Sequence, residues 1–123
     1  MSKYKVSFRI VSKNLTREYI DNILGMESDI FHAFDAPSTM WSVDSCLEEK
    51  NSFEIQIEEI LNKLAEKKEN LYKLYAQGAK ADFFCGYFDD EGQPGFDLSA
   101  NILRRMGELN IDFLVFFYDL FSI

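Results

Sequence analysis

The chain has 123 residues, of which 47% are hydrophobic and 28% charged, and a formal net charge of −8. That length suits one domain over 1–123, since single domains commonly run to about 100–150 residues. Disorder and collagen are excluded by composition. A spanning helix is excluded because the longest apolar run, Phe113 to Tyr118, has six residues against about 20 for a bilayer. The opening Met-Ser-Lys-Tyr-Lys-Val-Ser-Phe lacks a secretory apolar region, which predicts a cytoplasmic protein.

Residues 4–11 alternate. Tyr4, Val6, Phe8 and Ile10 fall on one side, with Lys5, Ser7 and Arg9 on the other, the pattern of a strand with one buried and one wet face. Thr16 is placed to cap a helix carrying Tyr19, Ile20, Ile23 and Leu24, and Gly25 to stop it. Residues 26–38, with Pro37, are expected as loop. Met40 to Cys46 predicts a second strand, with Met40, Ser42, Asp44 and Cys46 on one side and Trp41, Val43 and Ser45 on the other.

Asn51 followed by Glu54 is a capping pattern that opens a helical stretch over 52–77. Its apolar stripe is Ile57, Ile60, Leu61, Leu64, Leu71, Leu74 and Tyr75. Lys67 and Lys68 interrupt the stripe, which predicts a break near 65–69. Gly78 ends the stretch.

Ala81 to Phe88 predicts an aromatic strand, and 89–95 is turn chemistry. Ser99 caps a helix over 100–109 with Ile102, Leu103 and Met106 inward. Asn110 stops it, and Ile111 to Tyr118 is a last strand, apolar on both faces. The order is β-α-β, a helical segment, then β-α-β. It predicts an α+β fold: a four-stranded, mainly antiparallel sheet with helices on one face, a ferredoxin-like variant. Leu15-Thr16 before Tyr19-Ile20 echoes Leu98-Ser99 before Ile102-Leu103, a pattern that admits either an internal duplication or shared capping chemistry.

The layout resembles a family of small bacterial and phage proteins, a domain of unknown function. The residues that carry this are Leu15-Thr16, Trp41, Pro94-Gly95 followed by Leu98-Ser99, and Tyr118 after the Gly107-containing helix. The resemblance implies an α+β fold and brings no activity, substrate or catalytic residue.

Several chemistries lack their residues. Cys46 and Cys85 have no Cys-x-x-Cys spacing, and His32 is the sole histidine, so no common structural zinc motif forms. Both cysteines are expected reduced and at least partly buried. His32 has no nucleophile motif beside it. The acids at Asp89, Asp90, Glu91 and Asp97 do not fit an EF-hand, because with Gly92 at its sixth position Tyr87 would stand first and Leu98 twelfth. The same run lacks phosphate-loop spacing, and its acids repel phosphate. No cofactor and no metal is expected.

Charge is blocked along the chain. Residues 18–59 hold eleven acids and one base, whereas residues 1–17 hold five bases and no acid. The balance opposes nucleic acid and anionic membrane as partners. It suits a non-catalytic module that meets a basic protein partner through acidic loops around an apolar patch. Asp35, Glu48 and Glu49 in one segment, and Asp89, Asp90 and Glu91 in the other, are the candidate contact residues. By size and charge such a chain suits an immunity or inhibitor protein. The alternatives are a small carboxylate enzyme, metal-assisted or not, and a homo-oligomer formed through the apolar strands. Six of the twelve phenylalanines crowd into the two strands 83–88 and 113–117, which predicts either central strands with both faces covered or an apolar patch on part of the second face.

Overall fold

A computed structural model describes residues 3–33, 38–89 and 95–119, with the backbone alone at 30–33, 89 and 119. In chain order the elements are β1 (Lys3–Ser12), α1 (Arg17–Leu24), β2 (Ile30–Ala33), β3 (Thr39–Asp44), α2 (Phe53–Lys63), α3 (Lys68–Ala76), β4 (Lys80–Asp89), α4 (Ala100–Glu108) and β5 (Asp112–Asp119). The class is α+β, as the pattern of elements implied.

The strands form one sheet in the order β2-β3-β1-β4-β5. All neighbours run antiparallel except β4 and β5, which are parallel. A parallel pair needs a long crossover, and α4 supplies it. Two expectations change here. The 26–38 stretch is not all loop, because Ile30–Ala33 pairs with Thr39–Ser42 as a short edge strand. The ferredoxin-like arrangement is not found among the described residues: β1 lies between two antiparallel neighbours, and the parallel pair, β4 with β5, is at the edge. The two β-α-β halves also differ, since β1 and β3 are antiparallel whereas β4 and β5 are parallel, so the echo between Thr16 and Ser99 is one of capping chemistry.

Local chemistry sets the helix ends. Thr16, Ser52 and Ser99 each accept a hydrogen bond from the backbone N–H three residues on, relieving donors that a helix start leaves unpaired. Asn51 is therefore not the cap of α2; the cap is its neighbour. Gly25 closes α1 at φ 64° and Asn110 follows α4 at φ 55°, left-handed conformations that glycine and asparagine tolerate. The 52–77 stretch divides at residues 64–67, within the interrupted part of its stripe.

The core lies between the helices and one sheet face. That face carries Val6, Phe8, Ile10, Trp41, Val43, Ala81, Phe83, Cys85 and Tyr87, all buried. The helices add Ile20, Leu24, Phe53, Ile57, Ile60, Leu61, Leu71, Leu74, Ile102 and Met106. Leu103, expected inward, is half-exposed on the outer side of α4. Trp41 is fully buried against Phe8, and its indole N–H donates to Asp21 Oδ1 at 2.7 Å.

Helices are also tied to one another through their ends. Asn70 of α3 donates to the Ile23 carbonyl of α1 at 2.8 Å. Tyr72 and Tyr75 donate to the Glu108 and Leu109 carbonyls at the end of α4, each at 2.8 Å. Glu54 of α2 accepts from the Ser99 N–H at its start.

β3 pairs with β1 only from Ser7 to Ser12. Beyond that, β1 is completed by other groups. Ser45 N–H donates to the Val6 carbonyl, and Tyr4 N–H to the Glu49 carbonyl. The Gln56 side chain, 2% exposed, accepts from Val6 N–H at 3.2 Å and donates to the Tyr4 carbonyl at 2.7 Å. An amide thus stands in for a missing strand. Gln56→Leu keeps the volume but strips those partners from buried peptide groups, at about 1–3 kcal/mol for each group left unsatisfied. A loss of about 2–4 kcal/mol in denaturant unfolding is expected. A change under about 0.5 kcal/mol would show that water replaces the amide.

Candidate interaction surface

The sheet's second face carries no helix among the described residues. It is built from alternate positions of β1, β3, β4 and β5: Lys5, Ser7 and Arg9; Met40, Ser42 and Asp44; Asp82, Phe84, Gly86 and Phe88; Leu114, Phe116 and Tyr118. The β1 side is polar and the β4–β5 side aromatic, so the face grades across its width.

Cross-strand neighbours organise the aromatic half. Phe84 stacks on Phe116 with ring centroids 4.8 Å apart, and Phe88 on Tyr118 at 4.5 Å and 8°. Gly86 lies beneath the second pair; a Cβ there would meet Phe88 and Tyr118 ring carbons at 3.4 Å. The glycine therefore lets both rings settle onto the backbone. Two cations border the rings. Arg9 lies 4.3 Å from the Phe84 centroid and donates Nε and Nη2 to the Asp82 carboxylate at 2.8 and 2.9 Å. Lys5 sits 5.9 Å from the Phe88 centroid and 3.4 Å from Glu49. A cation over an aromatic face is favourable, and its carboxylate partner keeps the site near neutral.

β5 is the sheet edge, and toward its end, at 116–118, its side chains are exposed on both faces, whereas Phe113 and Val115 pack against the core. Phe116 (47%) and Tyr118 (43%) face the open side, while Phe117 (60%) faces the helix side beside Phe96 (38%). The apolar-on-both-faces pattern of 113–118 was visible in the sequence; that it belongs to an edge was not. These aromatics were absent from the expected contact residues.

The expected contact residues divide. Glu48 and Glu49 lie in the turn after β3, exposed and half-exposed, paired with Lys50 and Lys5 at 3.4 Å each. Asp89 is the last residue of β4, beside the start of β1. Glu49 also sits near that start, through its carbonyl bond to Tyr4, so these acids share one end of the sheet. Asp35, Asp90 and Glu91 lie outside the described residues. Asp97 is exposed.

Many acids of the 18–59 block have structural partners. Asp21 takes Trp41 and the Ser28 N–H; Asp29 takes the Asp44 N–H; Asp44 takes the Ser7 hydroxyl; Glu59 takes the Cys46 N–H. What reads as a charge block in sequence is in part a set of turn and loop ties. A hollow near them, about 460 Å³ and open to solvent, is lined by Glu18, Asp21, Asn22, Gly25, Met26 and Glu27. Among the described residues no group of three or more His, Cys, Asp or Glu could hold a metal.

The cysteines do not share an environment. Both are free thiols. Cys85 is buried in β4, where desolvation, aided by the nearby Asp82, pushes its pKa up to about 12. Cys46 is exposed, contrary to expectation, because β3 ends at Asp44 and residue 46 falls in the turn. Its sulfur lies 3.3 Å from Lys63 Nζ, which Glu59 holds at 2.7 Å. Burial pushes the Glu59 carboxyl up, but the hydrogen bonds and charge of Lys63 together with the Cys46 N–H outweigh it and leave its pKa lowered; the Lys63 ammonium is raised chiefly by Glu59.

The architecture defines a small α+β domain with one helix-covered sheet face and one face, aromatic on its β4–β5 side, that carries no helix among the described residues. The chain belongs to the family described as Domain of unknown function (DUF4279), whose model matches residues 2–120. No curated protein and no solved structure matches the chain.

The two thiols predict a graded response to a thiol reagent at neutral pH. One equivalent reacts within minutes, at Cys46, and the second only on unfolding; two fast equivalents would contradict the burial of Cys85. Alkali gives a second outcome. Burial also raises the Tyr75 phenol. Both groups bind their proton more tightly in the folded state. Their stabilisation is complete below the ordinary values, 9.0 for the thiol and 10.0 for the phenol, and is lost as pH rises above them. Denaturant midpoints should fall from about pH 9 upward, and the fall should be shallower in Cys85→Ala.

Proposed function

We propose that this domain is a non-catalytic interaction module that offers its aromatic sheet face, with acids at one end, to a basic protein partner. The observation that carries the reading is the pair of exposed aromatics, Phe116 and Tyr118, on a face that carries no helix among the described residues. Monomeric proteins seldom leave contiguous apolar patches beyond a few hundred Å² uncovered. Glu48 and Glu49 near the start of β1, and Asp89 at the end of β4, supply the negative border. Acids there act mainly on the association rate, and aromatic contacts on dissociation. An inhibitor or immunity protein that blocks a cationic toxin is the role such a surface suits, and a cytoplasmic setting fits its free thiols.

The partner is to be recovered from the native cell and its binding rates measured against Glu48→Lys/Glu49→Lys. Association should slow about tenfold at low salt and lose much of its salt dependence, with Tm nearly unchanged because exposed pairs contribute about 0–1 kcal/mol. Phe116→Ala should instead speed dissociation. An unchanged association rate at low salt would remove the acids from recognition.

A further inference from the structure

We propose that the outer edge of β5 is a self-association site whose partner is a second copy of this chain, paired antiparallel about a two-fold axis midway between Val115 and its copy. The inference is independent of the basic-partner reading.

β5 ends the sheet, and among the described residues no strand pairs with its outer side. Edges are normally guarded by lysine, proline, bulges or short length. This one is eight residues long, with six apolar residues, Phe-Leu-Val-Phe-Phe-Tyr, between Asp112 and Asp119. Exposure on both faces of the strand separates an edge partner from a face partner. A molecule seated on the open face would cover Phe116 and Tyr118 and leave Phe117 in water. A strand added at the edge places side chains beside all three.

Self-pairing is favoured by the register available to it. Residues directly opposite in an antiparallel pair share a face, so a two-fold normal to the sheet must set one residue opposite its own copy. Centred on Val115, it sets Leu114 beside Phe116 of the second copy and Phe113 beside Phe117. Asp112 then faces the Tyr118 hydroxyl, a donor for its carboxylate. Residues 112–118 are all paired, and no carboxylate faces another. Moving the axis one residue on, to Phe116, opposes Phe113 to Asp119; moving it one residue back, to Leu114, sets Tyr118 opposite Asn110, beyond the strand.

The area sets the strength. Phe96, Phe116, Phe117 and Tyr118 are 38–60% exposed, and at about 200 Å² per aromatic side chain they offer about 400 Å² per copy. A standard interface takes about 800 Å² per partner, so the dimer is a reversible one of micromolar strength. Two chains of charge −8 repel, and added salt screens that repulsion. Salt therefore strengthens this association, whereas it weakens binding to a cation-rich protein.

Sedimentation equilibrium from about 10 µM to 1 mM, at low and at physiological salt, tests the proposal. A dimer fraction that rises with concentration and with salt, and disappears in Phe116→Lys, is expected. Register is read by cross-linking in a Cys46→Ser background: under mild oxidation Val115→Cys should form a disulfide dimer several-fold faster than Leu114→Cys. The Cα separation of directly opposed residues suits a disulfide. This readout needs only a folded chain, so it stands if Phe116→Lys folds poorly. A monomer throughout the range overturns the proposal. So does a dimer that survives Phe116→Lys, or one in which the two cysteine variants cross-link alike. A monomer that still binds a basic protein leaves the preceding reading standing and removes this one alone.

Discussion

The fold turns on the half of β1 that β3 does not reach. A central strand must satisfy its peptide groups on both sides, and β3 stops opposite Ser7. The remaining donors and acceptors are met by the turn after β3 and by Gln56, a polar side chain buried within an otherwise apolar helix face. The same amide also donates to the Asn51 carbonyl just ahead of α2. One side chain thereby fixes where the turn ends, where α2 begins and how α2 lies on the sheet. The aromatic core beside it, where Tyr4 meets Phe53 at 5.0 Å and Tyr87 at 5.1 Å, can pack only once that position is set.

Polar side chains are used throughout as connectors between elements. Asn70, Tyr72, Tyr75 and Glu54 reach helix ends on other helices, and Asp21 and Asp29 reach β3. Helix termini carry unpaired backbone groups that must find partners when they are covered. Here those groups provide the specificity with which four short helices dock, since none is long enough to be stable alone.

Local chemistry was legible in the sequence, and pairing was not. Thr16, Gly25, Ser99 and Asn110 mark helix ends because capping depends on residues a few positions apart. Alternation in 4–11 marked a core strand for the same reason. β2 was missed because four residues carry too little periodicity, and its strand character comes from a partner. Strand order, and with it the edge position of β5, rests on contacts far apart in the chain, so a doubly apolar strand could be read as central or as exposed. Leu103 belongs to the apolar spacing of α4, yet a nine-residue helix crossing at the sheet margin covers only its inner side. Acids read as a surface field prove in several cases to be hydrogen-bond acceptors for backbone N–H groups, a use that composition does not show. Of the contact residues, Glu48, Glu49 and Asp89 meet at one end of the sheet, whereas the aromatic edge had to be seen in three dimensions.

Trp41, the only tryptophan, gives the domain a built-in optical reporter with a defined field of view. Its indole is shielded from solvent, hydrogen-bonded to a carboxylate and packed against Phe8, an arrangement that exists only while α1, β1 and β3 are assembled. β1 and β4 separate it from β5. Its emission therefore follows the integrity of the β3 half of the molecule and is blind to what docks on the opposite edge. Intrinsic fluorescence measures folding here without interference from binding, and a ligand at the aromatic edge has to be followed through the tyrosines or an added label.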